Sequence, residues 1–342
     1  MTMEAYLGEQ HQQGRLNGSV LVRRNGQTVL ERAYGTADRA QGRPNTPETV
    51  FQIASISKQF TAAAILFLQE AGALSVHDRI QTWAPGRPAG WEAITVHHLL
   101  THTSGIGHWQ DLPELSLFEP TAREQLLDIV QHHPLKFSPG ARWAYSSPAY
   151  ALLAHIVEEV SGEPYASFLQ RRIFQPLRMA STGAGKQAPR PDRQALGYVG
   201  AERSPSVELD TVLIGAGDIW ATAGDLARWD AALAAPGLLN AASLRAMFTS
   251  HAATPQGFVG APAMAYGYGW VIGELQGHRL RFHTGDNAGF RSINLQLPDD
   301  KAVIIVLSND EIDDEHSGLF DLSRPLVAAV LGEADSAPSQ DA

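Results

Sequence analysis

The feature that most constrains this chain is the position of its β-forming runs, which lie at both ends with helical periodicity between them. Near the N-terminus, Ser19-Val20-Leu21-Val22-Arg23-Arg24 leads through Asn25-Gly26 into Gln27-Thr28-Val29-Leu30-Glu31-Arg32. Asn-Gly between two β-rich runs predicts a hairpin, because both central turn residues need positive φ. In the last third, Tyr268–Ile272, His278–Phe282, Ser292–Gln296 and Ala302–Val306 alternate with Gly- and Asp-containing turns, the pattern of an antiparallel meander. Between them the period changes. Phe60, Ala64, Phe67 and Leu68 share a helical face over 57–71, and Gly72 follows as a stop. Further helices are expected from Pro148 to about Val160, from near Tyr165, after Thr222, and over 322–331, with Thr222 as N-cap and Asp225 three residues on.

This arrangement predicts an α/β fold of the α+β type. A central antiparallel sheet is built from both chain ends, is flanked by helices, and has a helical region inserted. The expected organisation is a discontinuous sheet domain, 1–60 with 260–332, a mainly helical region, 61–259, and a small polar flexible tail, 333–342. An apolar fraction of 44% over 342 residues supports a substantial core.

Composition excludes several function classes. A net charge of −10 argues against a nucleic-acid partner. With no cysteine, thiolate metal sites and Cys nucleophiles are ruled out. No stretch approaches the roughly 20 apolar residues of a membrane span. The first residues show no basic segment followed by an apolar one, so the chain as given reads as cytoplasmic, or as secreted or periplasmic if a leader has been removed.

The chemistry centres on Ser55-Ile56-Ser57-Lys58, an S-x-x-K motif at a helix start. Residues i and i+3 share a helical face, so the amine can lie beside the hydroxyl. A lysine buried there has a depressed pKa and can accept the serine proton. It is one of only four lysines and the only one with Ser three residues before it. The plainer reading is a capping serine followed by an exposed lysine, but the apolar residues on both sides favour a buried amine. Tyr145, in Tyr145-Ser146-Ser147 before the helix at Pro148, is a candidate proton relay if nearby cations lower its pKa; otherwise it packs and Ser147 caps. His283-Thr284-Gly285-Asp286 ends a strand, where the missing side chain of Gly285 would let a substrate approach the backbone; the alternative is an ordinary turn.

In this order the three elements resemble the serine β-lactamase and penicillin-recognising peptidase family, in its class C β-lactamase-like branch, which also holds DD-peptidases, D-amino-acid peptidases and carboxylesterases. Leu99 to Gly105, Phe137 to Tyr150 and Ile219 to Leu226 are similar to further hallmarks, and the resemblance runs from about Gly18 to Leu331. It implies Ser55 as nucleophile, Lys58 as proton acceptor or relay and Tyr145 as general base and later acid. Ser147, His283, Thr284, Gly285 and Asp286 would contact substrate, and the backbone N–H groups of Ser55 and Asp286 would form the oxyanion hole. The implied reaction is hydrolysis of an ester or amide of a small-molecule or short-peptide acyl donor through an acyl-enzyme, as in a carboxylesterase or a D-amino-acid or DD-peptidase. No cofactor or metal is implied.

Two departures from the family pattern shape the expectation. Ser147 stands where the family usually has Asn, and a single hydroxyl replaces a two-sided amide. His283 stands where the family has either Lys or His, and as His rather than Lys it weakens a fixed positive charge, while Asp286 adds negative charge at the mouth. Both turn the expectation from β-lactams toward esters or unusual amides. Rival readings are a β-lactamase, a non-hydrolytic penicillin-binding or sensing domain, and a metal site at His98 and His102, whose plainer roles are capping and packing. A G-x-S-x-G elbow is absent, which disfavours an α/β-hydrolase.

Overall fold

The Asn-Gly hairpin forms as expected, with strands Gly18–Arg24 and Gln27–Tyr34 joined through Asn25 and Gly26 at φ 52° and 77°. In the computed structural model, which describes residues 1–83, 90–187, 189–235, 237–311 and 318–332, this hairpin is one edge of an eight-stranded antiparallel sheet. The strand order is Ala252–Ala253, Ala265–Tyr266, Val271–Leu275, His278–Asn287, Phe290–Leu297, Ala302–Ser308, Gly18–Arg24, Gln27–Tyr34. The two chain ends join where Val20 lies opposite Val306 and Val22 opposite Ile304.

Both faces of the sheet are covered. Val20, Val22, Ile304 and Val306 face Leu7, Leu326 and Val327 of the terminal helices Met3–Gln12 and Leu319–Leu331. Leu21, Ile305 and Leu307 face the helical interior. That double burial explains why the Ala302–Leu307 run is apolar throughout rather than alternating. Each Val, Leu or Ile fully removed from water contributes about 1.5–3 kcal/mol.

At the centre of the helical interior lies the helix Ser57–Glu70, which packs on the helix Ser147–Ser161. The sequence period suggests one apolar face, yet every residue from Ser57 to Leu68 is buried. A helix covered all round places its polar residues in low dielectric, and each then needs a partner. Gln59 accepts the Trp229 indole N–H at 3.0 Å, and Thr61 donates to the Gly215 carbonyl at 2.6 Å.

One expectation needs correction, and two features were not foreseen. The strand expected over Tyr268–Ile272 begins only at Val271, because Gly269 turns at φ 76° and a Cβ there would lie 2.7 Å from the Lys58 carbonyl oxygen. The N-terminal helix Met3–Gln12 was not foreseen; it is mostly polar and is held by docking on the sheet and the last helix. The inserted region also carries a small sheet, Phe51–Gln52, Ile219–Ala221 and Gly183–Ala184. The expected Thr222 cap is present, its side chain accepting from the Asp225 N–H. Residues 333–342, read as a flexible tail, lie outside the described residues. Among those described, no helix is long and apolar enough to cross a membrane.

Candidate active site

Ser55 sits on a short 3-10 turn, Ala54–Ile56, between the strand Phe51–Gln52 and the helix Ser57–Glu70. From Thr49 to Leu68 it is the one residue not buried. Ala54 before it has φ 47°, a left-handed conformation that a non-glycine residue adopts at a cost and that its surroundings must hold. Gly285 on the strand His278–Asn287 supplies that support. A Cβ at Gly285 would lie 2.3 Å from the Ile53 carbonyl oxygen and 3.0 Å from the Ala54 Cβ. Ser292 on the next strand donates to the same Ile53 carbonyl at 2.7 Å. Its missing side chain lets the strand press on the Ser55 turn.

Lys58 is fully buried and its amine is completely coordinated. Nζ lies within hydrogen-bond distance of Ser55 Oγ at 2.9 Å, Ser147 Oγ at 3.2 Å and the Ala216 carbonyl at 2.8 Å; in the neutral amine the two N–H bonds go to Ser147 and Ala216, and the lone pair faces the Ser55 hydroxyl. Burial holds its pKa well below 10.5, with nearby Asp218 opposing that shift. The segment 215–219 straps this arrangement to the helix. Thr61 holds the Gly215 carbonyl, Asn287 holds the Gly217 carbonyl at 2.9 Å, and Ser57 Oγ accepts from the Ile219 N–H at 3.1 Å. Buried Asp218 closes the turn internally, accepting the Gly215 N–H at 3.0 Å.

The Tyr145 hydroxyl lies beside the side chains of Ser55 and Ser147, which favour its ionised form. Lys58 Nζ lies 4.9 Å from its ring centre. The sequence reading required cations to lower the Tyr145 pKa. Burial prevails and pushes it up, with the Ser55 and Ser147 side chains only partly opposing, so the phenol keeps its proton. The condition set for the relay, a pKa lowered by cations, is therefore not met at Tyr145. A neutral amine 2.9 Å from Ser55 Oγ can take the hydroxyl proton, and a neutral phenol can pass one on.

Two histidines that had drawn little notice shape the tyrosine loop. The Ser146 N–H donates to His102 Nδ1 at 3.2 Å, and the Ser147 N–H donates to His108 Nδ1 at 3.1 Å. His102 is fully buried, 4.4 Å from the Tyr145 ring centre and 4.7 Å from that of Tyr266. It lies beyond the helix Val96–Leu100, at φ 58°, whereas His98 Nδ1 caps that helix by accepting the Thr95 N–H. The two therefore do not share a helical face, and capping and packing are the roles they have.

His283 is neutral for a structural reason. Its Nδ1 meets the Thr284 carbonyl at 2.5 Å, an acceptor, so Nδ1 carries the proton and Nε2 accepts from the Tyr266 hydroxyl at 2.9 Å. Burial, and next the charge of Lys58, push its pKa down to about 3. Both ring nitrogens are committed within the protein. A cavity of about 770 Å³ opens over Ser55, lined by Tyr145, Ser147, His283, Thr284 and Asp286 together with apolar Trp109, Leu115, Leu117, Phe118, Val207 and Leu213. Among the described residues, Asp286 and Glu311 are the carboxylates on its wall, and no lysine or arginine lines it. The Asp286 side chain is 66% exposed and 3.9 Å from Arg291.

The family model described as Beta-lactamase matches residues 3–324. The chain belongs to the β-lactamase family. This β-lactamase-family chain is a serine hydrolase by class, as the resemblance implied. It is similar to penicillin-binding protein 4* of Bacillus subtilis (strain 168), at 31% identity over 336 residues, covering 92% of this chain and 72% of that protein. It is 33% identical over 220 residues to esterase EstB of Burkholderia gladioli, covering 59% of this chain and 55% of that one. Among solved structures, the penicillin-binding protein of Bacillus halodurans superposes with a TM-score of 0.80 at 28% identity, over 96% of this chain and 99% of that one.

The fold thus brings together Ser55, Lys58, Tyr145, Ser147 and the 283–286 strand, all singled out from the sequence of this β-lactamase-family member. Sequence reasoning missed Asp218, Asn287 and His108. Asp218 lies one residue before the quoted 219–226 segment, and nothing in its spacing ties it to Lys58. The two histidines of the tyrosine loop are visible only once residues 101–108 fold against 145–147.

Proposed function

We propose that this chain hydrolyses a neutral or cationic ester, or a related amide, through an acyl-enzyme on Ser55. The observation that carries the reading is the desolvated Lys58 amine 2.9 Å from Ser55 Oγ. The Ser55 hydroxyl proton passes to Lys58 Nζ as Oγ bonds the substrate carbonyl carbon. The backbone N–H groups of Ser55 and Asp286 receive the oxyanion. As the intermediate collapses, the bond to the leaving group breaks and a proton reaches that group through the Tyr145 hydroxyl. Water, activated along the same chain in reverse, attacks the ester at Ser55 and releases the acid. His283 and Gly285 support the walls, and Thr284 and Ser147 face the substrate.

The preference for esters rests on charge. Asp286 and Glu311 line the cavity, Arg291 beside Asp286 is not among the described lining residues, and His283 is neutral, so a substrate carboxylate such as that of a penicillin meets negative charge there rather than a cation. The apolar wall suits an acyl chain. This keeps the ester reading ahead of the β-lactamase and non-hydrolytic alternatives. Intact-mass analysis with a short-chain para-nitrophenyl ester, and separately with benzylpenicillin, tests it. The expected result is a transient acyl adduct with the ester, and with penicillin either no adduct or a long-lived one. Rapid turnover of penicillin near neutral pH contradicts the substrate preference, and absence of any ester adduct contradicts the acyl-enzyme.

A further inference from the structure

We propose that His108 is a specificity-determining hydrogen-bond donor in the Ser55 cavity, selecting acyl chains that carry an acceptor oxygen such as an ether or keto oxygen. The inference rests on the acyl-enzyme reading above.

The ring's two nitrogens are distinguished by the backbone. A backbone N–H can only donate, so the Ser147 N–H at 3.1 Å from Nδ1 requires a lone pair there. A neutral imidazole then carries its proton on Nε2. The ring is neutral because burial, and next Lys58, push its pKa down to about 4. Among the described residues Nε2–H has no protein partner, and His108 lines the cavity. His283, by contrast, spends both nitrogens inside the protein.

The donor is held firmly in place. The His108 N–H donates to Asp111 Oδ2 at 2.8 Å, and Lys136 anchors that carboxylate at 2.8 Å. Gly107 permits the tight turn, since a Cβ there would lie 2.8 Å from the Asp111 Cβ. The ring stands edge-on to Tyr145, 5.4 Å between centres. From that point the chain runs directly into the apolar wall of Trp109, Leu115, Leu117 and Phe118. A single fixed donor at the head of an apolar wall meets an acceptor along the acyl chain rather than a charge. The amide that Ser147 lacks is thereby replaced by a donor from a different loop, bonded to the Ser147 backbone itself.

The test compares para-nitrophenyl hexanoate with its isostere in which an ether oxygen replaces the fourth carbon of the chain. The quantity read is the ratio of kcat/KM for the ether to that for the hydrocarbon, taken within each enzyme. His108→Ala and His108→Phe, the second keeping a ring against Tyr145 without a donor, should each lower this ratio about five- to tenfold, the size of one neutral hydrogen bond. A role confined to holding the tyrosine loop would slow both substrates alike and leave the ratio unmoved. An unchanged ratio in either variant overturns the proposal while leaving the acyl-enzyme intact. If neither ester acylates the wild-type enzyme, the acyl-enzyme reading and this inference fall together.

Discussion

On the floor of the Ser55 cleft, Lys58 and Asn287 are tied down: Lys58 Nζ has three partners, Ser147 Oγ among them, and Asn287 Nδ2 donates to Gln52 and the Gly217 carbonyl. On the rim, Nε2 of His108 has no protein partner among the described residues, Asp286 is largely exposed, and the apolar wall residues Trp109, Leu115, Leu117 and Phe118 are not fully buried. The contrast separates two tasks. A buried and fully bonded floor fixes proton positions and depresses an amine pKa, which the same residues on a wet surface could not do. An open rim with few polar groups can be altered without disturbing that chemistry, which makes it the place where specificity is set.

If the floor carries the chemistry, its removal has the largest effect. Ser55→Ala should bring turnover of an activated ester to background in a stopped or continuous nitrophenolate assay; retained turnover would place the nucleophile elsewhere. Lys58→Ala should lower kcat on the order of 10²- to 10³-fold, and Tyr145→Phe about 10²-fold, the range for losing a general acid or base. The pH profile sharpens the division of labour. The active Lys58 is the unprotonated amine, so kcat/KM should rise with pH as it loses its proton and level off well below 10.5, because burial lowers its pKa. In Tyr145→Phe that rising limb should stay in place although the plateau falls. Disappearance of the limb would return the role of base to the tyrosine.

Asp218 probes the strap beneath Lys58. Burial pushes its carboxyl up to about 8, so at pH 7 it is mostly protonated and acts through its shape and its bond from Gly215. Asp218→Ala, which frees the turn holding the Ala216 carbonyl, should cost about tenfold in kcat, whereas Asp218→Asn should stay within about threefold. The same shift has a stability consequence. A carboxyl whose folded pKa is raised stabilises the fold below its unfolded pKa, and that contribution is lost as pH rises toward 8. Melting temperatures of Asp218→Asn should therefore fall less than wild type between pH 5 and pH 8. An equal fall in both would exclude Asp218 as a buried titrating group.

The rim should give the smallest effects and the most selective ones. Asp286→Asn with Glu311→Gln should improve kcat/KM for an ester bearing a carboxylate by about three- to tenfold, with less change for a neutral ester, as removing two partly screened charges does. Equal changes for both esters would remove charge selection from the rim.

Ser55 and Lys58 were legible in the sequence, while Asn287 on the floor and His108 on the rim were not, for physical reasons. Ser55 and Lys58 lie three apart on one helix, so local geometry alone joins them, and the Asn25-Gly26 turn is likewise a local rule. Residues joined across long stretches are silent: Asp218 reaches Lys58 through a strap, and His108 reaches Ser147 across 39 positions. The surroundings of Gly285 and Tyr145 were likewise silent, because each depends on what packs against it, the Ile53–Ala54 backbone in one case and burial exceeding nearby charge in the other. The Met3–Gln12 helix escaped because only Leu7 and Gln10 are buried, too few to write a period.

The most direct test of the floor as the reaction centre is to quench the enzyme with acid during steady turnover of a para-nitrophenyl ester and to map the acyl group by tandem mass spectrometry. The account predicts the group on the peptide holding Ser55, and specifically on Ser55 rather than Ser57. An acyl group on any other residue, or none during sustained turnover, would contradict it.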